Sequence, residues 1–458
     1  MPEASGLTPA SLYVHVPFCE QKCSYCAFFS EASSGELINR YVAALERELE
    51  MVAPDLRPRT VFFGGGTPSI LNLRQWEQIL RAMERLDLLG AQEWTVECNP
   101  ATVSLDKAKL LCDFGVNRIS MGVQSLDADL LDRLGRIHSR EMVFKSFDTL
   151  RAAGFDNLNV DLMFAIPGQT MESWRATLAE GLALGSEHLS CYEVIYEEDT
   201  PLYKQLNAGE FAEDEDLACA MYEELVERAT QAGFQRYEIA NFARERKGSD
   251  GVLECWSDEC GSGNKTSSVS SSSSSSSSSN PGEIRGRGRG RERGEFASQS
   301  FEPVADEHSS DHHSITPSLH HSIPALACRH NVNYWRGGSF MGLGPSATGY
   351  VRGVRTKNWS NTQMYCDQLE KGKRAVESRE ELAPLGRAGE TAAFGLRMAA
   401  GWPFEEFQRV TGYDLRNEWA DDMASLTTRG WGQRSDTGFR LTHDGLRFAD
   451  AAAELFLR

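Results

Sequence analysis

The chain has 458 residues, of which 41% are hydrophobic and 25% charged, and its formal net charge is −19 at pH 7. The length predicts two or three domains of ordinary globular composition. The acidic charge disfavours a surface that binds DNA or anionic lipid throughout, because both partners are anionic themselves. No run of about 18 apolar residues occurs, so no transmembrane segment is expected and only peripheral contact with a membrane stays open.

The cysteine count and the first residues predict a cytoplasmic protein. Eleven cysteines in a chain of this length favour thiolate and metal chemistry over a disulfide framework. The first ten residues do not combine a basic segment with an apolar core, so no secretory signal is expected.

The first half of the chain alternates short apolar runs with amphipathic stretches. The apolar runs are 12–16, 60–63, 94–97, 118–122, 159–163 and 189–194, and the helix-like stretches are 36–53, 73–85, 105–114, 127–134, 140–153 and 172–184. Such alternation predicts βα units around a parallel sheet. Because six units are too few for an eight-fold barrel, the expected fold is α/β, a partial (β/α)6 TIM-like barrel whose chemistry lies where the strands end.

The pattern changes after residue 246. Residues 247–323 contain the serine run Ser270–Ser279 and an arginine–glycine alternation at 285–293, and their few large apolar residues predict a disordered insert. A solvated loop is the favoured interpretation, with RNA or metal binding by its arginines, histidines and cysteines as alternatives. The predicted domains are 1–246 (partial barrel), 247–323 (insert), 324–370 (a Gly-rich segment) and 371–458 (mainly helical, with a winged-helix-like end as one interpretation).

Three cysteines follow the first predicted strand with the spacing C-x3-C-x2-C: Cys19, Cys23 and Cys26. Thiolates bind iron–sulfur clusters, and a [4Fe-4S] cluster normally takes four of them. Three cysteines therefore predict a cluster with one iron left for another ligand. The alternative is a structural or zinc-bound set, although zinc would need a fourth ligand and usually paired C-x2-C spacings.

A glycine triplet, Gly64–Gly66, follows the second predicted strand. Glycines let a backbone approach a ligand closely, and their amides can donate to a carboxylate or phosphate, so this turn is expected to bind the cofactor through its amides. Polar residues at or just beyond other strand ends either contact a ligand or cap the next helix. They are Glu97, Gln124, Arg136 and Asp161.

Six motifs occur in order along the chain: YVHVPFC (13–19), FGGGTPS (63–69), ECNP (97–100), RISMGVQS (118–125), LGRIH (134–138) and DLMFAIPGQT (161–170). Together they resemble the oxygen-independent coproporphyrinogen III oxidase-like branch of radical S-adenosylmethionine (SAM) proteins. The resemblance implies that SAM fills the open iron position and that the reduced cluster cleaves it to a 5′-deoxyadenosyl radical. It implies SAM contacts at Tyr13, Tyr25, Gly65, Gly66, Thr67, Glu97, Gln124, Arg136 and Asp161, and it leaves open a second SAM.

Two positions separate the members of this family. The oxidase has the cysteine pattern C-x3-C-x2-C-x-C. In this chain Phe28 stands where the fourth cysteine of that pattern would be. Residues 330–335, HNVNYW, match the HNxxYW signature of the heme chaperone members. The resemblance therefore implies a protein that binds heme and passes it to an acceptor protein, with a reductant such as flavodoxin or ferredoxin. The decarboxylating oxidase and a radical enzyme acting on another tetrapyrrole stay as alternatives, and no catalytic residue is assigned.

The HNxxYW segment supplies the candidate heme contacts His330, Tyr334 and Trp335. A neutral imidazole can ligate heme iron, and aromatic rings can pack on a porphyrin face. The alternatives are that His330 hydrogen-bonds a backbone carbonyl while Trp335 fills the core of the partial barrel, or that the Cys328 thiolate ligates heme. The sequence also departs from the family, which commonly has glycine at positions 165 and 346 and histidine at position 348.

Overall fold

The computed structural model describes residues 10–32, 34–246 and 323–458, and six βα units follow one another in its first part. Their elements are β1 (Ser11–Val16), α1 (Gly35–Val52), β2 (Thr60–Gly65), α2 (Leu73–Arg85), β3 (Glu93–Cys98), α3 (Leu105–Asp113), β4 (Arg118–Gln124), α4 (Ala128–Arg133), α5 (Arg140–Ala153), β5 (Leu158–Phe164), α6 (Met171–Ala183), β6 (His188–Glu193), α7 (Pro201–Asn207) and α8 (Glu215–Gln231). Single 3-10 turns lie at Ala53–Asp55, Pro68–Ile70 and Pro100–Thr102.

The chain continues with shorter strands and two further helices. These are β7 (Gln235–Arg236), β8 (Asn241–Ala243), α9 (Arg329–Trp335), β9 (Phe340–Leu343), β10 (Thr348–Val351), β11 (Val354–Asn358), α10 (Thr362–Glu370) and β12 (Val376–Glu381). The last region contains α11 (Pro384–Gly395), β13 (Trp402–Pro403), α12 (Phe404–Thr411), α13 (Leu415–Glu418), α14 (Ala420–Thr428), β14 (Gly432–Arg434), β15 (Gly438–Leu441), α15 (His443–Arg447) and α16 (Ala449–Glu454).

One twelve-stranded sheet organises the first part, in the order β12-β11-β10-β9-β1-β2-β3-β4-β5-β6-β8-β7. Strands β1 to β6 are all parallel, and β9 adds to β1 in parallel. The strands at both edges pair antiparallel, and the two edges are not joined. The predicted partial (β/α)6 barrel is therefore confirmed, with its parallel sheet left open.

Side-chain alternation along the strands separates the core from the barrel interior. On β4, Ile119, Met121 and Val123 are buried in the apolar core, while the intervening positions hold Arg118 and Ser120. The same alternation occurs on β5 and β6. Because successive side chains of a strand point to opposite faces, the helices cover an apolar face and the interior is polar.

The C-terminal region is mainly helical, as predicted, with a second core of its own. Its three-stranded sheet has the order β13-β15-β14, and Trp402, Phe407 and Trp419 are buried beside it. Strand β15 leads into α15 and α16, and the winged-helix interpretation places a short strand at 438–441 before a helix at 442–457.

The domain boundaries drawn from the sequence stay a prediction, although the described residues all fall in one compact unit. Within it, residues 324–370 contribute α9 and the strands that extend the sheet past β1. The predicted insert, with Cys255 and Cys260, lies outside the described residues except for Ile323. None of the described helices is both long and apolar enough to cross a membrane.

The Gly-rich segment rests directly on the strand that leads to the cysteines. Gly344 has a φ of +93°, and a Cβ there would lie 2.3 Å from the backbone oxygen of His15. Its N–H donates to Glu48 Oε2 at 2.9 Å, and this buried carboxylate also accepts from Asn358 Nδ2 at 2.8 Å and Tyr365 OH at 2.6 Å. Burial raises the pKa of Glu48. The close approach therefore requires glycine at position 344.

We expect Gly344→Ala to lower the free energy of unfolding by about 2–5 kcal/mol, since it adds a steric clash to an unfavourable backbone conformation. Denaturant unfolding followed by circular dichroism measures the loss. Gly372→Ala is the matched control, because Gly372 also has a positive φ, +68°, but a Cβ on it would meet no other atom within 4 Å. Equal losses in the two variants would contradict the proposed contact with His15.

Candidate functional site

A cavity of about 760 Å³ is lined by β2 to β6, by α9 and by the cysteine loop, residues 17–32. All three predicted cluster ligands line it, together with eight of the nine predicted SAM contacts. The eight are Tyr25, Gly65, Gly66, Thr67, Glu97, Gln124, Arg136 and Asp161. Residues far apart in the sequence thus meet because the parallel strands end at one edge of the sheet.

Backbone hydrogen bonds fix both ends of the cysteine loop. Cys19 N donates to Glu31 O at 3.1 Å, and Glu31 N donates to Pro17 O at 2.8 Å. In the middle of the loop, Ser24 N donates to Leu134 O at 2.9 Å, next to the turn that follows α4. The loop is therefore positioned by contacts with itself and with the fourth βα unit.

Two of the three thiols have a hydrogen-bonding neighbour, and the third is partly buried. Arg136 Nη1 donates to Cys23 Sγ at 3.4 Å, and Cys19 Sγ lies 3.5 Å from Thr67 Oγ1. Burial raises the pKa of Cys26. No three His, Cys, Asp or Glu side chains of the described ranges converge on a single metal ion. Each thiolate of an iron–sulfur cluster binds its own iron, so this donor set fits a cluster better than zinc.

The backbone amides of the glycine turn have acceptors within the protein. Gly66 N donates to Val16 O and Thr67 N to Phe18 O, both at 2.8 Å, while Gly65 N donates to Glu97 Oε2 at 3.2 Å. Each of these amides thus has a protein acceptor, and binding of the cofactor by this turn stays a prediction. A Cβ on Gly66 would lie 2.6 Å from Phe18 O, so the glycine permits the close approach of the cysteine loop.

Two carboxyl groups in the cavity are held toward their neutral forms. Burial, with a further contribution from Asp161, raises the pKa of Glu97 to about 8. Burial also raises the pKa of Asp161, against hydrogen bonds from Asn159 Nδ2 at 2.7 Å and Ser120 Oγ at 3.1 Å. A cationic ligand would favour the ionised forms of both groups.

Gln124 and Arg136 connect the end of β4 to the rest of the site. Gln124 has a φ of +67° and accepts a hydrogen bond from Tyr192 OH at 2.8 Å. Arg136 Nη2 donates to Gly122 O at 2.5 Å, and its buried Nε has no partner among the described residues. Arg136 thus contacts both β4 and Cys23, and its buried Nε–H has no acceptor among the described residues.

The two predicted tyrosines differ in position. Tyr25 lines the cavity and packs on the apolar cluster that contains Leu134 and Leu202, and burial raises its pKa. Tyr13 does not line the cavity, and its hydroxyl is 3.0 Å from His15 Nδ1. The other ring nitrogen, His15 Nε2, lies 2.8 Å from Phe29 O. The structure therefore connects Tyr13 to the cysteine loop through His15, and its contact with SAM stays a prediction.

The candidate heme ligand lies in the core. His330 is 1% exposed, its Nδ1 is 2.9 Å from Thr60 Oγ1, and its Nε2 is 2.6 Å from Tyr334 OH. Burial lowers the pKa of His330 to about 3. Neither ring nitrogen is available to iron here, contrary to the predicted axial role. The imidazole is bonded within the core, although to two hydroxyl groups and not to the backbone carbonyl of the alternative.

The other candidate heme contacts also lie outside the cavity. Tyr334 and Trp335 do not line the cavity, and Trp335 packs near Tyr237 with ring centroids 6.2 Å apart. Burial raises the pKa of Cys328 to about 12, and its thiol donates toward Glu93 Oε1 at 3.6 Å. Cys328 is therefore buried in the core, where its environment disfavours the thiolate that would ligate heme iron.

Two departures from the family have a backbone cost. Ala165 and Ser346 stand where the family commonly has glycine, and their φ angles are +56° and +62°. Side chains other than glycine rarely adopt this left-handed region. The geometry explains why glycine suits both positions.

Several polar residues of the cavity were not identified from the sequence: Arg118, Ser120, Asn159, Ser190, Asn241 and Asn331. Most of them occupy alternate positions on β4, β5 and β6, between buried apolar residues. This period of two was a usable signal, because it marks a polar interior face opposite the helices.

Known proteins resemble the chain in sequence and in fold. The radical SAM superfamily matches residues 13–180. The heme chaperone HemW of Bacillus subtilis is 27% identical over 455 residues, which cover 98% of this chain and 99% of that protein. Radical S-adenosyl methionine domain-containing protein 1, mitochondrial, of Danio rerio is 35% identical over 257 residues, 55% of this chain and 58% of that protein.

The solved structure of coproporphyrinogen III oxidase (HemN) from Escherichia coli has a TM-score of 0.70 and 19% identity, and the match covers 98% of this chain and 90% of that chain. At this identity the likeness concerns the fold. Residues 13–180, which contain the cysteine loop, match the radical SAM superfamily, and over nearly its full length the chain is similar in sequence to heme chaperones named HemW.

Proposed function

We propose that the chain is a heme chaperone of the radical SAM superfamily, which binds heme, carries a [4Fe-4S] cluster with SAM and transfers heme to an acceptor protein. The similarity to HemW over nearly the full length of both chains carries this proposal. The three cysteines support the cluster, because they line the same cavity as the predicted SAM contacts, where an open iron could meet a bound ligand.

The cavity residues divide between the two cofactors. Cys19, Cys23 and Cys26 would hold the cluster, which when bound supplies an electron to SAM. Glu97, Gln124, Arg136 and Asp161 would orient SAM, together with Tyr25 and the turn of Gly65, Gly66 and Thr67. The carboxyl groups suit the cationic parts of SAM, and the free Nε–H of Arg136 suits an acceptor.

Phe28 argues against the oxidase. Its side chain is 70% exposed and lines the same cavity as the cysteines, at the position where the oxidase pattern has its fourth cysteine. A phenyl ring can neither ligate a metal nor provide an exchangeable hydrogen. The likeness to HemN does not favour the oxidase either, since it concerns the fold.

The cytoplasmic location, the acceptor protein and a reductant such as flavodoxin or ferredoxin belong to this proposal as well. The cysteines of the described residues are all unpaired thiols, as is usual in a reducing compartment.

The test uses the full chain with its cluster reconstituted under anaerobic conditions. Heme is titrated and followed by its absorption, and the heme-loaded chain is then mixed with a heme-free hemoprotein. Separately, coproporphyrinogen III, SAM and a reductant are supplied. We expect saturable heme binding, transfer of heme and no decarboxylated product, whereas product without saturable heme binding would mean the oxidase. Phe28→Cys in parallel tells whether this one position withholds decarboxylase activity.

SAM binding is expected to tighten as the pH rises through about 8. Below this pH the Glu97 carboxyl is protonated, and above it the carboxylate attracts the cationic ligand. Equilibrium dialysis of SAM between about pH 6.5 and 9 measures the effect. Glu97→Gln cannot ionise and should flatten this component of the profile. An identical profile in the variant would assign the pH dependence to another group, such as the amine of SAM.

A further inference from the structure

The cavity extends well beyond the predicted SAM positions, toward the amino ends of the strands. Arg118 begins β4 and Gln124 ends it, a separation of roughly 20 Å along an extended strand. We call this inner part the deep chamber, which is lined by Arg118, Asn159, Ser190, Asn241 and Asn331. Its lining is polar, although it lies inside the barrel.

Arg118 places a buried positive charge in the deep chamber. The residue is 2% exposed, and Nη1 donates to Thr95 Oγ1 at 3.4 Å. Its Nε is buried and has no partner within the described part of the chain. A guanidinium has five N–H donors, and a buried charge without a partner is strongly unfavourable. Most of the hydrogen-bonding capacity of Arg118 is therefore unused by the protein.

Two carboxyl groups that act electrostatically on Arg118 are hydrogen-bonded to other groups. Glu93 and Asp161 both act on the charge of Arg118, yet neither forms an ion pair with it. Glu93 accepts from Arg329 N at 2.8 Å and His330 N at 2.9 Å, at the start of α9. Asp161 accepts from Asn159 and Ser120. The acceptor that would balance Arg118 is therefore not one of these two groups.

Asn331, the second residue of the HNxxYW segment, adds an uncommitted amide to the chamber. It lines the cavity, and no hydrogen bond of its side chain occurs within the described ranges. Asn333, two residues later on the same helix, does not line the cavity and donates to Ser339 O at 3.3 Å. The signature therefore directs one amide into the chamber and uses the other locally.

We propose that Arg118 and Asn331 form a binding site for a carboxylate of a ligand that occupies the cavity. Arginine matches a carboxylate with two parallel N–H donors, and the amide of Asn331 can supply a third. The carboxylate is either a propionate of a tetrapyrrole, which rests on the proposed function, or the methionyl carboxylate of a second SAM.

The test measures equilibrium binding of heme, heme dimethyl ester and SAM to the cluster-loaded full chain. We expect Arg118→Gln and Asn331→Asp to weaken binding of the carboxylate ligand roughly 10- to 100-fold. The first substitution removes the positive charge, and the second replaces an N–H donor with a carboxylate that repels the ligand. Asn333→Asp makes the same charge change outside the cavity and should bind like the wild type. If Arg118→Gln is unstable, the comparison of Asn331→Asp with Asn333→Asp still tests the site.

The ligands distinguish the two sources. If heme is the source, the wild type prefers heme to its dimethyl ester, and the two variants lose this preference. If a second SAM is the source, the variants lose one equivalent of bound SAM and bind heme as before; a wild type that then fails to bind heme overturns only the chaperone proposal. Wild-type binding of all three ligands by folded Asn331→Asp and Arg118→Gln overturns the carboxylate site.

Discussion

Replacing Cys19, Cys23 or Cys26 singly with alanine is expected to remove the iron–sulfur cluster, with bound iron falling from about four atoms per chain to near zero. All three thiols line one cavity, and the loss of one would leave two protein ligands for a cluster that already has an open iron. Iron and sulfide analysis of anaerobically reconstituted protein measures the effect, and circular dichroism checks that the fold is intact.

Cys98→Ala is the matched control for this experiment. Cys98 lines the same cavity, but it is buried at the end of β3, where burial raises its pKa. We expect this variant to keep its full iron and sulfide content. Four irons retained in a variant of the cysteine loop would disprove the ligand assignment, and stoichiometric zinc without sulfide would establish the zinc alternative.

The fold could be predicted because its signals are local. Apolar runs separated by amphipathic stretches indicate strands and helices one at a time, and parallel topology follows from their alternation. Strands β9 to β12 gave no comparable signal: β9 has four residues and pairs with β1, more than 300 positions earlier, in the register Ser11↔Phe340 to Val14↔Leu343. Pairing at such a distance in the sequence depends on tertiary contacts.

The sequence predicted which residues belong to the site better than it predicted which groups they contact. Residues at the ends of parallel strands necessarily approach one another, and this brought Glu97, Gln124 and Asp161 into one cavity with the cysteines. The partners of individual groups did not follow. Thr60 and His330 are 270 positions apart, and the amide of Gly66 is used by Val16, so only the folded chain reveals which polar groups remain for a ligand.

His330→Ala is expected to lower the free energy of unfolding by about 2–5 kcal/mol, because it deletes two buried hydrogen bonds and leaves a void. The hydroxyl groups of Thr60 and Tyr334 would each lose their contact with the imidazole. Denaturant unfolding measures the loss. His443→Ala is the control: its side chain is 45% exposed, and we expect a change below about 0.5 kcal/mol.

Heme titration of the same variant separates a structural role from an axial one. The imidazole of His330 faces neither the cavity nor solvent, so the folded variant should show the heme absorption spectrum of the wild type. A variant with wild-type stability and a changed heme spectrum would instead make His330 the axial ligand. The expected result gives the HNxxYW segment a physical role: His330 fixes α9 against β2, and that contact keeps Asn331 directed into the cavity.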